Sequence, residues 1–421
     1  MPQGQTLAID FGTSNSAAAL MHAGAVHRIP IEDGQPTLPT AVFFPAEDGP
    51  MQIGTAAIEA LIAGEDGRFM RALKSVLGLP LFHEQRLISG RRRSLLEITA
   101  AFLERLRRAA EDHTGQRFTH VLSGRPVHFH AVSDDKEAQA EDDLRASYHA
   151  AGFAEVSFLA EPEAAALTTA QARKEADIEL VVDIGGGTSD FTVVQQSAAG
   201  PVVLASHGLR LGGTDFDHAI SMSHAMPCLG LGTQLRREMG DGLLPVPIAP
   251  FADLATWAKI PFLYTPETRR MVARMLRLST QPDRLGRLAQ VLEQELGHDI
   301  AFAVEAGKIA VNGAEGEAVI DLRIVETGLD IAATRPSVDA ALTVHKHKLS
   351  EAVATTLTRA GIEGADVHQV TLVGGSSLMS LVSDVVALRC PQARIARAEA
   401  FTAVVDGLAH AAHARDRAAA T

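Results

Sequence analysis

Two aspartates in this 421-residue chain stand just ahead of a glycine-bearing turn that is followed by small hydroxyl residues. Asp10 lies in TLAIDFGTSNSAAALM, from Thr6 to Met21, and Asp183 in LVVDIGGGTSDFTVV, from Leu180 to Val194. A Gly-rich turn between two apolar strands leaves backbone N–H groups without ladder partners, and a phosphate is a natural acceptor for them. A carboxylate beside a phosphate suits a hard cation, so Asp10 and Asp183 are candidates for binding, through water, a Mg²⁺ that keeps most of its hydration shell. Either turn alone also reads as a tight hairpin and nothing more. The repetition of one plan, with Asp10 matching Asp183 and Gly12 matching Gly185, favours the phosphate reading.

Two better-known phosphate motifs do not fit. A dinucleotide G-x-G-x-x-G opens a helix after its strand, whereas here DFTVV returns as a second strand; the G-x-x-x-x-G-K-[ST] loop is absent from the chain. Each copy is therefore expected to be a β-hairpin with polar groups at its tip, and two such tips facing each other would hold a phosphate chain from both sides. A third glycine signal, Gly374-Gly375, lies in VTLVGGSSLMSLVSDVVAL. There a β-rich run is expected to pass directly into an amphipathic helix whose first N–H groups would face an anion or a ribose. His128 and His130 sit two apart on an expected strand, a possible metal pair without a third ligand of suitable spacing.

The elements that must position these groups are those of an α/β protein. SLLEITAAFLERLRRAAEDH, from Ser94 to His113, carries apolar residues at helical spacing, and HVLSGRPVHF reads as a strand entering a turn. After Gly213, Pro245, Pro247, Pro250, Pro261 and Pro266 interrupt any long element until helices resume near Arg269, the pattern of a peripheral subdomain.

Composition narrows the function classes. With 46% hydrophobic and 21% charged residues the chain is globular, and a formal net charge of -13 disfavours nucleic acid or an anionic membrane as partner. Arg91, Arg92 and Arg93 form the compact basic run and read as a solvated loop. Two cysteines, Cys228 and Cys390, make no disulfide framework, and no segment has the apolar length of a membrane span. The expected setting is the cytoplasm.

These motifs occur in a familiar order. DFGTSNS at Asp10 to Ser16, AEPEAAAL at Ala160 to Leu167, DIGGGTSD at Asp183 to Asp190, LGGTDFD at Leu211 to Asp217 and VGGSS at Val373 to Ser377 resemble the actin-like ATPase superfold, and most of all the nucleotide-binding domain of the DnaK, or seventy-kilodalton heat-shock, family. GRPVHF and RLGGTDFD bring the chain near the short, stand-alone YegD-like branch. The resemblance implies a bilobal α/β fold of duplicated ribonuclease-H-like halves with nucleotide in the cleft: residues 1–176 as one lobe, 177–392 as the other with a peripheral subdomain about 228–310, and 393–421 returning as a helical segment to the first. It implies ATP or ADP with Mg²⁺ as cofactors, and allows K⁺ as a further cation.

Residue by residue, the resemblance assigns Lys74 to the γ-phosphate and attacking water, Glu161 to the surroundings of the metal shell, Thr13 and Thr188 to the phosphates, and Asp190 to placing water. As a bare sequence feature, Glu161 is equally a helix N-terminal acid beside a proline. Gly12, Ser14, Asn15, Gly185, Gly186, Gly187, Gly212, Gly213, Gly374, Gly375 and Ser376 match further phosphate and nucleotide contacts. Glu305, Lys308, Ile309 and Asn312 match the ribose and adenine site; read without the family, Glu305, Lys308 and Asn312 fit a solvated helix face. Two positions depart from the family pattern: Leu378 replaces an arginine that stacks on adenine, and Asn312 replaces a serine. With FTAVVDGLAHAAHARDRAAAT as its final stretch, the chain is expected to lack a peptide-binding β-sandwich. The expected activity is slow, Mg-dependent ATP hydrolysis that changes the angle between lobes and acts on a client or protein partner in another chain. A small-molecule kinase of the same superfold, and a nucleotide sensor or filament-forming protein, remain the alternatives.

Overall fold

A computed structural model describes residues 5–32, 34–47, 49–129, 134–169, 176–197, 200–397 and 402–419. The chain is an α/β protein with two compact units, Met1–Gly213 with His347–Thr421, and Thr214–Lys346.

The first unit contains two main sheets. In one, β1 (Leu7–Phe11) and β2 (Asn15–His22) form an antiparallel hairpin, and β3 (Ala25–Arg28) and β4 (Thr37–Pro39) both pair antiparallel with β2. On the other side of β1, β5 (His120–Arg125) and then β6 (Glu155–Ala160) add in parallel. In the second sheet, β7 (Ile178–Ile184), β8 (Ser189–Ser197) and β9 (Gly200–Leu209) form an antiparallel meander, and β10 (Gln369–Val373) and β11 (Arg394–Arg397) add in parallel beside β7. The orders β6-β5-β1-β2-β3 and β11-β10-β7-β8-β9 correspond strand for strand and direction for direction. The repeat seen in the two Asp-Gly stretches is thus a repeat of topology, with Asp10 and Asp183 on the central strand of their respective sheets.

Central strands of this kind are covered on both faces, so β1 is almost entirely buried rather than alternating. Helix Ala403–Ala419 packs on β1 and β2. Helix Leu95–Thr114 brings Phe102 to Phe11, with ring centroids 5.8 Å apart. The second helix begins where its sequence says it must: the Ser94 hydroxyl accepts from Glu97 N, the Glu97 carboxylate accepts from Ser94 N, and Gly115 closes the far end at φ 69°.

Helix Ala403–Ala419 is held at both ends of its run. Arg28 donates to both carboxylate oxygens of Asp406, at 2.9 and 2.6 Å, and the Thr6 N–H and hydroxyl donate to Asp416 at 2.9 and 2.6 Å. At Gly407 it crosses helix Glu161–Thr169 so closely that any β-carbon would overlap the Ala164 carbonyl. The crossing places Val404 and Leu408 beside Gly124, at the end of β5 and next to the Glu161 side chain.

In the second unit, helices Pro266–Leu278, Pro282–Glu293 and Gly297–Val311 lie with a hairpin of Glu317–Asp321 and Asp330–Thr334. Pro266 and Pro282 occupy first helical positions, where a missing N–H costs nothing. Two local expectations are corrected. β5 ends at Arg125, so His128 is not on a strand; its Nδ1 lies 3.9 Å from Glu137 Oε2, and His130 falls outside the described residues. Between β10 and helix Ser380–Arg389 the chain does not pass straight into the helix but makes a 3₁₀ turn, Gly375–Leu378. Among the described residues no helix is long and apolar enough to cross a membrane.

Candidate functional site

The tips of the two central hairpins touch. A side chain at Gly186 would stand 2.6 Å from Ser14 Oγ and 3.0 Å from Thr13 Cβ, and one at Gly187 would stand 3.1 Å from Thr13 Oγ1. Gly12 is required within its own tip, because the Asn15 carbonyl fills the place of a β-carbon. Gly212 runs along the second tip, where a β-carbon would be 2.6 Å from Gly186 C, and a β-carbon on Gly213 would overlap Ser376 Oγ. Gly374 adopts φ 80° and passes 2.8 Å, measured from its absent β-carbon, from Asp183 Oδ1. Four glycine segments, around residues 12–15, 185–188, 212–213 and 374–376, therefore converge within one unit. Within these segments Gly185 N donates to Thr188 O and Gly213 N to Gly185 O, each at 3.0 Å.

Beside these tips lies a charged cluster. Lys74 occupies a 3₁₀ turn, Leu73–Val76, entered through Ala72 at φ 61°. A left-handed alanine is a strained choice that persists only where its surroundings fix it. The Lys74 ammonium meets Glu161 Oε1 at 2.6 Å, and the two residues are only 7% and 8% exposed. Glu161 is the first residue of its helix, as a helix N-terminal acid should be, but its carboxylate is spent on Lys74. Asp183 and Asp190 stand directly opposite one another in the β7–β8 register, a pairing that like charges disfavour. Asp190 Oδ1 accepts Val127 N at 2.8 Å.

Four carboxyl groups thus share one ammonium. Burial, and next the charge of Glu161, pushes Asp10 up to about 7, while Lys74 opposes the shift. Burial and Glu161 likewise hold Asp183 and Asp190 well above the usual carboxylate range, with Asp10 adding to the effect on Asp183 and Asp183 to that on Asp190. Burial would lower the pKa of Lys74, but Glu161, Asp10 and Asp190 outweigh it and raise the value. Such a site is short of positive charge and rich in hard oxygen donors, which fits a divalent cation. Among the described residues no three His, Cys, Asp or Glu side chains are grouped to hold a bare metal ion.

The shift of Asp10 has a measurable sign. Its folded pKa of about 7 lies above the ordinary aspartate value of 3.8, so between those limits the folded state binds more protons than the unfolded one. Its contribution to the stability of the nucleotide-free protein is greatest below the lower value and is lost as pH rises through the upper one. Thermal denaturation from about pH 5 to about pH 8 should show wild type losing stability relative to Asp10→Asn as pH rises, and parallel curves would disprove the assignment.

The expected base-contacting residues are distributed differently. Leu378 ends the 3₁₀ turn after Gly374 and is half-buried. In the second unit, Lys308 is buried in an ion pair with Asp217, 2.6 Å, and Trp257 Nε1 donates to the other Asp217 oxygen at 3.2 Å. Burial raises the Asp217 pKa and Lys308 opposes it. Lys308 is thus a buried partner and not part of a solvated helix face; Ile309 beside it is exposed, and Glu305 and the helix-capping Asn312 are half-buried. Sequence reasoning missed the supporting contacts of the cluster. Val127 N on Asp190 and Arg210 Nη2, which donates to Ser75 O at 3.2 Å beside Lys74, come from distant segments with no local pattern to announce them.

A family model described as Hsp70 protein matches residues 6–227. The chain is also similar to a chaperone protein DnaK of Endomicrobium trichonymphae, 32% identical over 222 residues, which are 51% of this chain and 34% of the relative. The matched region thus spans about a third of that relative's length. The family match over residues 6–227 contains both hairpin tips, Lys74, Glu161 and the Gly212-Gly213 pair.

Proposed function

The chain belongs to the Hsp70 family, whose members are chaperone-type ATPases of the actin-like fold, and on that premise we propose that it binds ATP with Mg²⁺ at the four glycine segments and hydrolyses it slowly. The observation that carries this reading is the Lys74–Glu161 ion pair standing among three further carboxyl groups beside two touching hairpin tips. Thr13 and Thr188 offer hydroxyls to the phosphate chain, and the glycines let backbone approach it closely. Lys74, charged and nearly buried, is placed for negative charge that spreads over the transferred phosphoryl group. Asp190, with Oδ1 already bonded to Val127 N, keeps its other oxygen for orienting a water. Asp10 and Asp183 would hold a hydrated Mg²⁺, which when bound supplies charge neutralisation at the phosphates. That added charge also favours the ionised forms of the same carboxyls.

We also propose that the nucleotide state acts on a client or partner protein, as in the family, and that the chain sits with the YegD-like branch on its GRPVHF and RLGGTDFD stretches. Rapid mixing of stoichiometric protein with Mg·ATP tests the central reading. Phosphate should be released in a step that chelation of Mg²⁺ abolishes. Binding without release would leave a nucleotide sensor, and absence of binding would end the proposal.

A further inference from the structure

We propose that Asp143 is a positioning residue for Lys74, clamping from outside the segment that carries the lysine. Between strands Gly67–Arg71 and Arg86–Ile88 that segment has only two 3₁₀ turns, Leu73–Val76 and Pro80–Phe82, with left-handed residues at Ala72 (φ 61°) and Gly78 (φ 73°). Turns of this kind have poorer hydrogen-bond geometry than α-helix and cannot fix a side chain by themselves. The grip comes from helix Asp134–Ala150. The Asp143 carboxylate, 1% exposed, accepts Gly78 N at 2.8 Å on Oδ2. Its Oδ1 accepts His83 Nε2 at 2.8 Å and Gln139 Nε2 at 2.7 Å.

A buried carboxylate is costly unless its lone pairs are satisfied, so the arrangement is stable only while the loop supplies its donors. The dependence is mutual: Gly78 and His83 are pinned because Asp143 needs them, and Lys74 sits just upstream of both. Arg210, just past the end of β9, holds the same turn through Ser75 O. Displacement of a transition-state contact by even about 1 Å can cost on the order of 10²-fold in rate, so the clamp has consequences for chemistry that Asp143 never touches. The inference rests on the assignment of Lys74 to phosphate chemistry; the clamp itself rests on the hydrogen bonds.

Amide hydrogen exchange of residues 72–83 and single-turnover ATP hydrolysis, measured on the full chain, test the two halves separately. Asp143→Ala should speed exchange in that segment by about 10-fold or more. It should lower single-turnover hydrolysis by about 10- to 100-fold while Mg·ADP affinity, which involves no γ-phosphate, stays within about 2-fold. Asp143→Asn, which keeps an acceptor for Gly78, should restore part of the rate. His83→Ala, at the half-exposed end of the clamp, should give a smaller loss in a protein that folds even if Asp143→Ala does not. In a Lys74→Ala background, Asp143→Ala should cause no further loss of turnover. Unchanged exchange at residues 72–83 overturns the clamp whether or not ATP is hydrolysed. Faster exchange with undiminished turnover, or an equal loss in the Lys74→Ala background, overturns the positioning role. A wild type that releases no phosphate fails the hydrolysis reading and the positioning role with it, while the exchange data still decide the clamp.

Discussion

Lys74→Ala is expected to lower ATP turnover by a factor on the order of 10² or more while Mg·ADP affinity changes far less. The asymmetry follows from where the ammonium acts. In the ground state Lys74 is already satisfied by Glu161 at 2.6 Å, so its added worth appears when charge moves onto the transferred phosphoryl group. The substitution also strands Glu161 in a site that is already too negative, and breaking a buried pair costs about 3–5 kcal/mol. Turnover must therefore be compared below the variant's unfolding temperature. Lys74→Met combined with Glu161→Gln separates the two effects: stability should return and turnover should not. Equal losses of ATP affinity and turnover in Lys74→Ala would make the lysine a ground-state contact.

Asp183→Asn is expected to do opposite things to binding and to stability. An ionic hydrogen bond of the kind a hydrated cation makes is worth about 1.5–3 kcal/mol, so Mg-dependent ATP affinity should fall roughly 10- to 150-fold. The nucleotide-free protein should become more stable by a few degrees, on the order expected for the relief of one repulsive buried charge. The reason is the register: Asp183 faces Asp190 across β7 and β8, and both carboxyls are held well above their usual range by burial and by Glu161. Calorimetric titration and thermal denaturation at one pH measure both quantities. Unchanged affinity in Asp183→Asn and in Asp10→Asn would remove the cation from the site.

What the sequence disclosed follows the range of the interactions. The hairpins around Gly12 and Gly185 are local objects, specified by strand formers, a turn and a returning strand within some fifteen residues, and the helix after Ser94 is announced by its own capping box. The duplicated topology was legible because Asp10 and Asp183 keep the same place in each copy. The meeting of Lys74 with Glu161, 87 residues apart, has no local signature; the family resemblance assigned each a separate place near the phosphates and metal shell and did not pair them. Nothing pointed to Asp143 on Gly78, 65 residues apart, or to Val127 on Asp190, because a buried acid paired through the backbone looks in sequence like any surface acid. The His128 reading failed for a related reason: the strand stops at Arg125, and alternation beyond a strand's end carries no meaning.

The tie between Thr6 and Asp416 sets an order of events during synthesis. The first strand is made well before helix Ala403–Ala419, which covers it, and the bond from Thr6 to Asp416 closes a loop of 410 residues. Contacts of such separation form late, because chain entropy must be overcome before they contribute. Until that helix docks at Gly407, Val404 and Leu408 are not behind Gly124 and the Glu161 side chain. A chain in which residues 403–419 have not yet docked therefore still presents bare apolar sheet and a Glu161 side chain without that cover, and is exposed to aggregation for the whole of that interval. The burial of Glu161 is thus completed only by a contact between distant parts of the chain.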